Sequence, residues 1–201
     1  MPKRDEILII GNGRSVLNHS FGEQINDISV VARINNFSIE NFNNHIGYKT
    51  DIWFNGANQN LKKRTIVPNE IIVFIPPEIL QRKKNKIHDR ISRRLHIEKD
   101  KYLLVPHEKM VDYEKKINVE RPTTGTSSIL WSLENFNKII IHGFDFFIDS
   151  KSHYNDNKIT KLLIDWGIIK KGGKHDMEKE KEYIESLIKE KKVVLLKDHL
   201  N

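Results

Sequence analysis

A chain of 201 residues with 34 Lys plus Arg, 27 Asp plus Glu and no cysteine is long enough for one domain with a buried core. The missing thiols exclude a disulfide scaffold, a cysteine-ligated zinc or iron–sulfur centre and thiol nucleophilic catalysis, and they fit a reducing compartment. The formal net charge of +7 implies anionic company, whether nucleic acid, phosphorylated substrates or an acidic membrane face. Apolar residues make up 38% of the chain and gather in strand-like runs, which excludes disorder throughout. No run approaches the ~20 apolar residues that cross a bilayer, and the first six residues carry no signal-peptide pattern. The expectation is a soluble or peripherally attached cytoplasmic protein.

Short β-branched bursts at 7–10, 29–34, 51–54, 71–75, 102–105, 139–141 and 193–196 each read as a strand, several of them apolar on both faces. Between them, 16–24, 77–94, 108–116, 126–136 and 176–191 have helical spacing. The alternation predicts an α/β fold, a Rossmann-like, mainly parallel sheet with helices on both faces. Ligands of such sheets bind beyond the carboxyl ends of the strands, so the residues just after each burst matter most. The whole chain reads as one domain, with a basic insert at about 77–120 and a polar, glycine-punctuated active-site loop or lid at about 145–174.

The first strand runs into Gly11-Asn12-Gly13-Arg14-Ser15-Val16. This starts a dinucleotide fingerprint, but Val16 stands where the third glycine belongs, and no acidic residue closes the second strand. A nicotinamide-dependent enzyme is therefore disfavoured. What remains is a tight turn whose N–H groups can receive an anion, with Ser15 placed to cap the following helix and Asn12 to bridge a ligand. Asn35 and Asn55 each lie just past a strand, and their amides offer both donor and acceptor to a base or ribose. Asn55-Gly56 also has the composition of a plain turn.

Four short patterns occur in order. Gly11-Asn12-Gly13, the stretch Asp27 to Asn35 with its Arg33-Ile34-Asn35 end, and Gly47-Tyr48-Lys49-Thr50-Asp51 resemble the large sialyl motif of CMP-sialic-acid-dependent sialyltransferases. Arg121-Pro122-Thr123-Thr124-Gly125-Thr126-Ser127, leading to Gly143-Phe144-Asp145-Phe146-Phe147, resembles the small motif. His153-Tyr154 is similar to the His-Tyr motif, and His175 with Glu180 five residues later is similar to the very small motif. The resemblance implies the sialyltransferase variant of the GT-A-like fold. It also implies inverting displacement of CMP from a sialic acid or Kdo-like nonulosonic acid by a glycan or glycolipid hydroxyl. The absence of cysteine separates the chain from the anchored, disulfide-tied animal enzymes and points to a bacterial-type form.

On that resemblance His175 is the general base, since an imidazole takes a proton at neutral pH, and the adjoining helix start and Lys174 favour its neutral form. His153 and Tyr154 donate hydrogen bonds to the departing phosphate, and Arg121 supplies a permanent charge beside it. Gly11, Asn12, Gly13, Ser15, Asn35, Asn55, Thr123, Thr124, Gly125, Gly143, Phe144 and Asp145 line the CMP-sugar site. Thr123 to Gly125 open a helix whose N–H groups can cradle a ribose, phosphate or carboxylate. Arg121 also reads as a surface salt bridge with Glu120 or another acid, Asp176 as a helix cap, and Glu180 as a supporting residue. No metal and no cofactor are expected: no Asp-x-Asp pair occurs, and a monophosphate leaving group can be held by protein donors.

The basic run from Arg82 to Arg94 reads as a solvated helix face, or as a surface that meets anionic lipid or a phosphorylated lipid-linked glycan. A nucleic-acid module is the competing class. It lacks interleaved aromatics and a recognised motif. A non-catalytic CMP-sugar binder is the third reading, opposed by the presence of His175, His153 and Tyr154.

Overall fold

The computed structural model describes residues 2–145 and 176–201. Strands β1 (Arg4–Ile10), β2 (Val31–Ile34), β3 (Ile52–Asn55), β4 (Glu70–Val73), β5 (Leu103–Leu104), β6 (Phe136–His142) and β7 (Val193–Leu195) form one sheet in the order β5-β4-β3-β2-β1-β6-β7. Every pairing among them is parallel. Among the described residues the helices are α1 (Gly22–Asp27), α2 (Asn43–Ile46), α3 (Pro77–Lys83), α4 (Ile87–Leu95), α5 (His107–Ile117), α6 (Thr124–Asn135), α7 (Met177–Lys189) and α8 (Leu196–His199). All seven strand expectations and the parallel α/β class are borne out.

Alternate strand residues divide the core into two layers, as the pleat requires. Ile7, Ile9, Ala32, Phe54, Ile139 and Ile141 face one side. They are covered by Met110, Tyr113 and Ile117 of α5, Ile129 to Trp131 of α6, and Ile184 and Leu187 of α7. On the opposite side Leu8, Ile10, Val31 and Ile140 meet Val16, Ile25, Ile46 and Leu196. There Trp53, Ile71 and Val73 are covered by Ile87, Ile91 and Leu95, a stripe at helical spacing on α4. α6 approaches closely because its inner turns carry the small residues Thr126, Ser127, Ser128 and Ser132, and its Trp131 meets Phe54 edge-on at 5.6 Å between ring centroids.

Three helix boundaries differ from expectation. The span 16–24 is not one helix: a 3-10 turn covers Arg14–Asn18, His19 is extended, and α1 starts at Gly22. The ring of His19 stacks on Phe21 at 4.6 Å, which favours the extended link. The span 77–94 breaks at Lys84, whose φ of 35° is left-handed. The wholly polar run Gln81 to Lys86 offers no apolar contact to hold one continuous helix. Third, α6 starts two residues earlier than expected, at Thr124, and Phe136 begins β6.

Arg33 fixes the large-motif segment. Its side chain is fully buried on β2 and donates to the carbonyls of Ile46 (2.7 Å), Gly47 (3.0 Å) and Lys49 (3.0 Å) and to Thr50 Oγ1 (2.9 Å). It therefore caps the C-terminal end of α2, where backbone carbonyls lack helical partners. Arg33→Met strands these buried acceptors, and a loss of about 2 kcal/mol is expected. Urea unfolding measures it, and an unchanged midpoint would refute the role.

Candidate functional site

The strand order reverses between β1 and β6, and the crevice at that reversal is where doubly wound sheets take their ligands. The pairing continues past both strands: the Gly11 N–H donates to the His142 carbonyl (2.8 Å) and the Gly13 N–H to the Gly143 carbonyl (2.9 Å). A methyl group on Gly11 would lie 2.3 Å from the Gly143 oxygen, and Gly143 itself has φ +72°. Only glycine fits such a crossing of two loops.

Asp145 closes this joint. Its carboxylate accepts from the Ser15 N–H (3.0 Å) and from Ser15 Oγ (2.5 Å). Ser15 therefore does not cap a helix as the sequence suggested. Gly13 is the boundary residue of the 3-10 turn and no side chain caps it, because both polar groups of Ser15 are drawn to Asp145.

The neighbouring strand ends meet the start of α6. Asn12 Nδ2 donates to the Ile34 carbonyl (3.0 Å), Trp53 Nε1 to the Asn35 carbonyl (2.8 Å), and the Gly56 N–H to Asn35 Oδ1 (2.9 Å). A methyl on Gly56 would fall 2.7 Å from Thr124 Oγ1, and one on Gly125 would fall 3.1 Å from the Phe144 ring. Asn12, Gly13, Asn35, Gly56, Thr124, Gly125 and Phe144 are each half-buried. They lie together at the carboxyl edge of the sheet and are partly open to solvent. Asn55 plays another part: it is fully buried and its Oδ1 accepts from the Ala57 N–H at 2.7 Å, which holds the turn that presents Gly56. Its Nδ2 has no acceptor among the described residues. Gly56 is absent from the sequence-derived set, although its place after Asn55 on a strand end was the available signal.

The positive end of α6 holds an internal carboxylate. Thr123 caps the helix by accepting from the Thr126 N–H at 3.1 Å. Glu180, fully buried on α7, accepts from the Thr123 N–H (3.0 and 3.1 Å to its two oxygens), from Thr123 Oγ1 (2.6 Å) and from Thr126 Oγ1. A buried anion at this point is favoured by the helix dipole and by charge-assisted hydrogen bonds. α7 is itself capped by Asp176, whose Oδ1 accepts from the Lys179 N–H at 3.2 Å. Lys179 holds the Asp176 carboxyl below its ordinary value, through its backbone N–H first and its ammonium second.

Arg121 precedes this cap with a left-handed φ of 56°. Its backbone N–H donates to Glu114 Oε1 (3.0 Å), and its guanidinium pairs with Glu78 on α3, which raises its pKa. The surface ion pair allowed for in the sequence reading is thus present, with Glu78 rather than the adjacent Glu120 as the acid. His153, Tyr154 and His175 lie outside the described residues. Among the described residues no group of three or more His, Asp or Glu is placed to hold a metal.

His142 sits under the joint. Burial first, then the charges of His19 and His45, pull its pKa down to about 4, and Asp145 opposes them. A histidine that ionises less readily when folded stabilises the fold above its unfolded value. That stability fades as pH falls through the window between 6.5 and about 4. A loss of about 2 kcal/mol is expected between pH 7 and pH 4.5. His142→Phe should flatten this part of the profile in urea titrations; an identical slope would assign the effect elsewhere.

The fold is a doubly wound, all-parallel α/β sheet, and the candidate site residues gather at its carboxyl edge beside the topological switch point. The sequence matches glycosyltransferase family 29 (sialyltransferase) over residues 5–192, so the chain belongs to that family. No curated protein sequence matches it. Solved structures that share its fold include a mammalian sialyltransferase and a mammalian sialyltransferase in complex with Gal-beta-1-3GalNAc-ortho-nitrophenol. Each has a TM-score of 0.70 and 20% identity, covering 96% of this chain and 69% of the other. Family membership supports a CMP-sugar-dependent glycosyl transfer. Among the described residues no helix is long and apolar enough to cross a membrane.

Proposed function

We propose that the protein transfers a nonulosonic acid, sialic acid or a Kdo-like sugar, from its CMP donor to a glycan hydroxyl by metal-independent inverting displacement. The observation that carries this reading is the convergence of Asn12, Asn35, Gly56, Thr124 and Phe144 at the switch point of a family 29 chain. Asn35 and Thr124 offer hydrogen bonds to cytosine and ribose. His175 takes the acceptor proton, while His153 and Tyr154 donate to the departing phosphate. Arg121 adds positive charge at the same edge, oriented by Glu78. The chain acts as one domain, on the cytoplasmic side, with a glycan or glycolipid acceptor and peripheral contact with anionic membrane.

The test is CMP release from CMP-sialic acid and from CMP-Kdo, with and without EDTA. A Gal-beta-1-3GalNAc acceptor is the first to try, because a mammalian relative binds it. The expected result is EDTA-insensitive turnover that His175→Ala abolishes while CMP still binds. Turnover that survives in His175→Ala would remove the base assignment, and inhibition by EDTA would remove metal independence.

A further inference from the structure

The long basic stretch resolves into one structured cluster. Arg90, Arg93 and Arg94 are spaced i, i+3 and i+4 on α4, a spacing that gathers side chains on one side of a helix. Arg90 and Arg94 are half-buried beside the apolar stripe Ile87, Ile91 and Leu95, whereas Arg93 and Arg82 are exposed. Arg94 Nη1 donates to the Ala57 carbonyl at 2.6 Å. The Nε of Arg90 is buried and has no acceptor among the described residues. Burial, followed by the charges of Arg82 on α3 and of Arg93, lowers the Arg90 pKa. Burial, followed by Arg90 and Arg93, does the same to Arg94. Three arginines thus share one flank of α4, with Arg82 on the neighbouring α3.

Asp89 and Glu98 line a surface hollow together with Arg93, but among the described residues neither forms an ion pair with any of the four arginines. Asp89 pairs with Lys99 at 2.6 Å and Glu78 with Arg121. None of the four arginines forms an ion pair among the described residues. The cluster also has a definite address. Ala57 follows Gly56, the residue that packs against Asn35 and Thr124, so the arginine cluster and the candidate donor site share one two-residue turn.

We propose that Arg82, Arg90, Arg93 and Arg94 form a phosphate subsite that holds the phosphate of a phosphorylated glycan acceptor beside the donor cleft. The acceptor assignment rests on the transferase reading above. Phosphate fits the cluster better than carboxylate. Several guanidinium forks present more donors than two carboxylate oxygens can accept, and a doubly charged group with three peripheral oxygens matches both their number and their charge. The same chemistry is offered by a soluble sugar phosphate and by the pyrophosphate head of a lipid-linked glycan.

Calorimetric titration of the intact chain with inorganic pyrophosphate, with glucose 6-phosphate and with phosphatidylglycerol vesicles separates the sources. Saturable pyrophosphate binding is expected, weakened about tenfold in Arg90→Met and further in Arg90→Met/Arg93→Met, as for removal of charge-assisted hydrogen bonds. Arg93 is exposed, so Arg93→Met alone keeps the test valid should Arg90→Met fold poorly. CMP affinity should not change in these variants. Equal pyrophosphate affinity in wild type and the double variant would overturn the subsite. An equal loss in Lys83→Met/Lys84→Met would do the same, by showing diffuse charge. Vesicle binding without pyrophosphate or sugar-phosphate binding would overturn it in favour of a membrane surface. Binding of glucose 6-phosphate would support a soluble acceptor, and binding of pyrophosphate alone a lipid-linked one. The two readings fail separately: absent CMP binding removes the transferase reading, and absent binding of both pyrophosphate and glucose 6-phosphate removes the arginine subsite.

Discussion

Glu180→Ala should lower stability by about 3–4 kcal/mol, because it strips a buried carboxylate from the donors that converge on it. The Thr123 N–H and hydroxyl and the Thr126 hydroxyl all converge on this one side chain. For a chain of this size the melting temperature should fall by roughly 10 °C. Glu180→Gln should lose less, since one amide oxygen still accepts but its NH2 opposes another donor. The effect should reach function as well as stability. Glu180 ties α7 to the first turn of α6, the turn that presents Thr124 and Gly125 to the cleft. CMP affinity should thus weaken in Glu180→Gln even where the protein remains folded. A melting temperature unchanged in Glu180→Ala would show that the cap does not hold the two helices.

Gly11→Ala is the second large effect, and it acts through backbone rather than charge. The added methyl would meet the Gly143 carbonyl oxygen at 2.3 Å, and that carbonyl already accepts from the Gly13 N–H. Neither loop can yield without breaking the joint between β1 and β6. A cost of about 3 kcal/mol or more is expected, at the upper end for overpacking. Gly56→Ala makes an informative contrast, because its nearest obstacle is the Thr124 side chain at 2.7 Å, which can rotate. That variant should fold nearly as well as wild type and yet bind nucleotide less well. Equal stability of Gly11→Ala and wild type, measured by urea unfolding, would contradict the close crossing.

Much of this architecture was legible because parallel strands buried on both faces write themselves as continuous apolar runs such as Ile7 to Ile10. The cleft residues were legible for a related reason, since the residues after those runs lie on one edge of the sheet by topology. What periodicity could not supply is pairing at a distance in sequence. That Glu180 reaches Thr123, that Glu78 takes Arg121 and that Asp145 takes Ser15 depends on the docking of helices and loops far apart in the chain. The helix breaks near His19 and at Lys84 were missed for a similar reason. Stacking on Phe21 and the left-handed φ at Lys84 are tertiary and backbone facts that a hydrophobic pattern does not encode. Arg33 illustrates the same limit: the sequence places it in the large motif, but not beside the α2 carbonyls that it caps.

The central claim is that the cleft between the β1, β2 and β3 ends and the start of α6 receives the nucleotide of the donor. Calorimetric titration of CMP into the wild-type chain and into Thr124→Val, both in EDTA, tests it most directly. The account predicts saturable one-to-one binding by wild type and an affinity weakened about tenfold when the Thr124 hydroxyl is removed. Absence of CMP binding by the wild-type chain, or equal affinity in the two proteins, would contradict it.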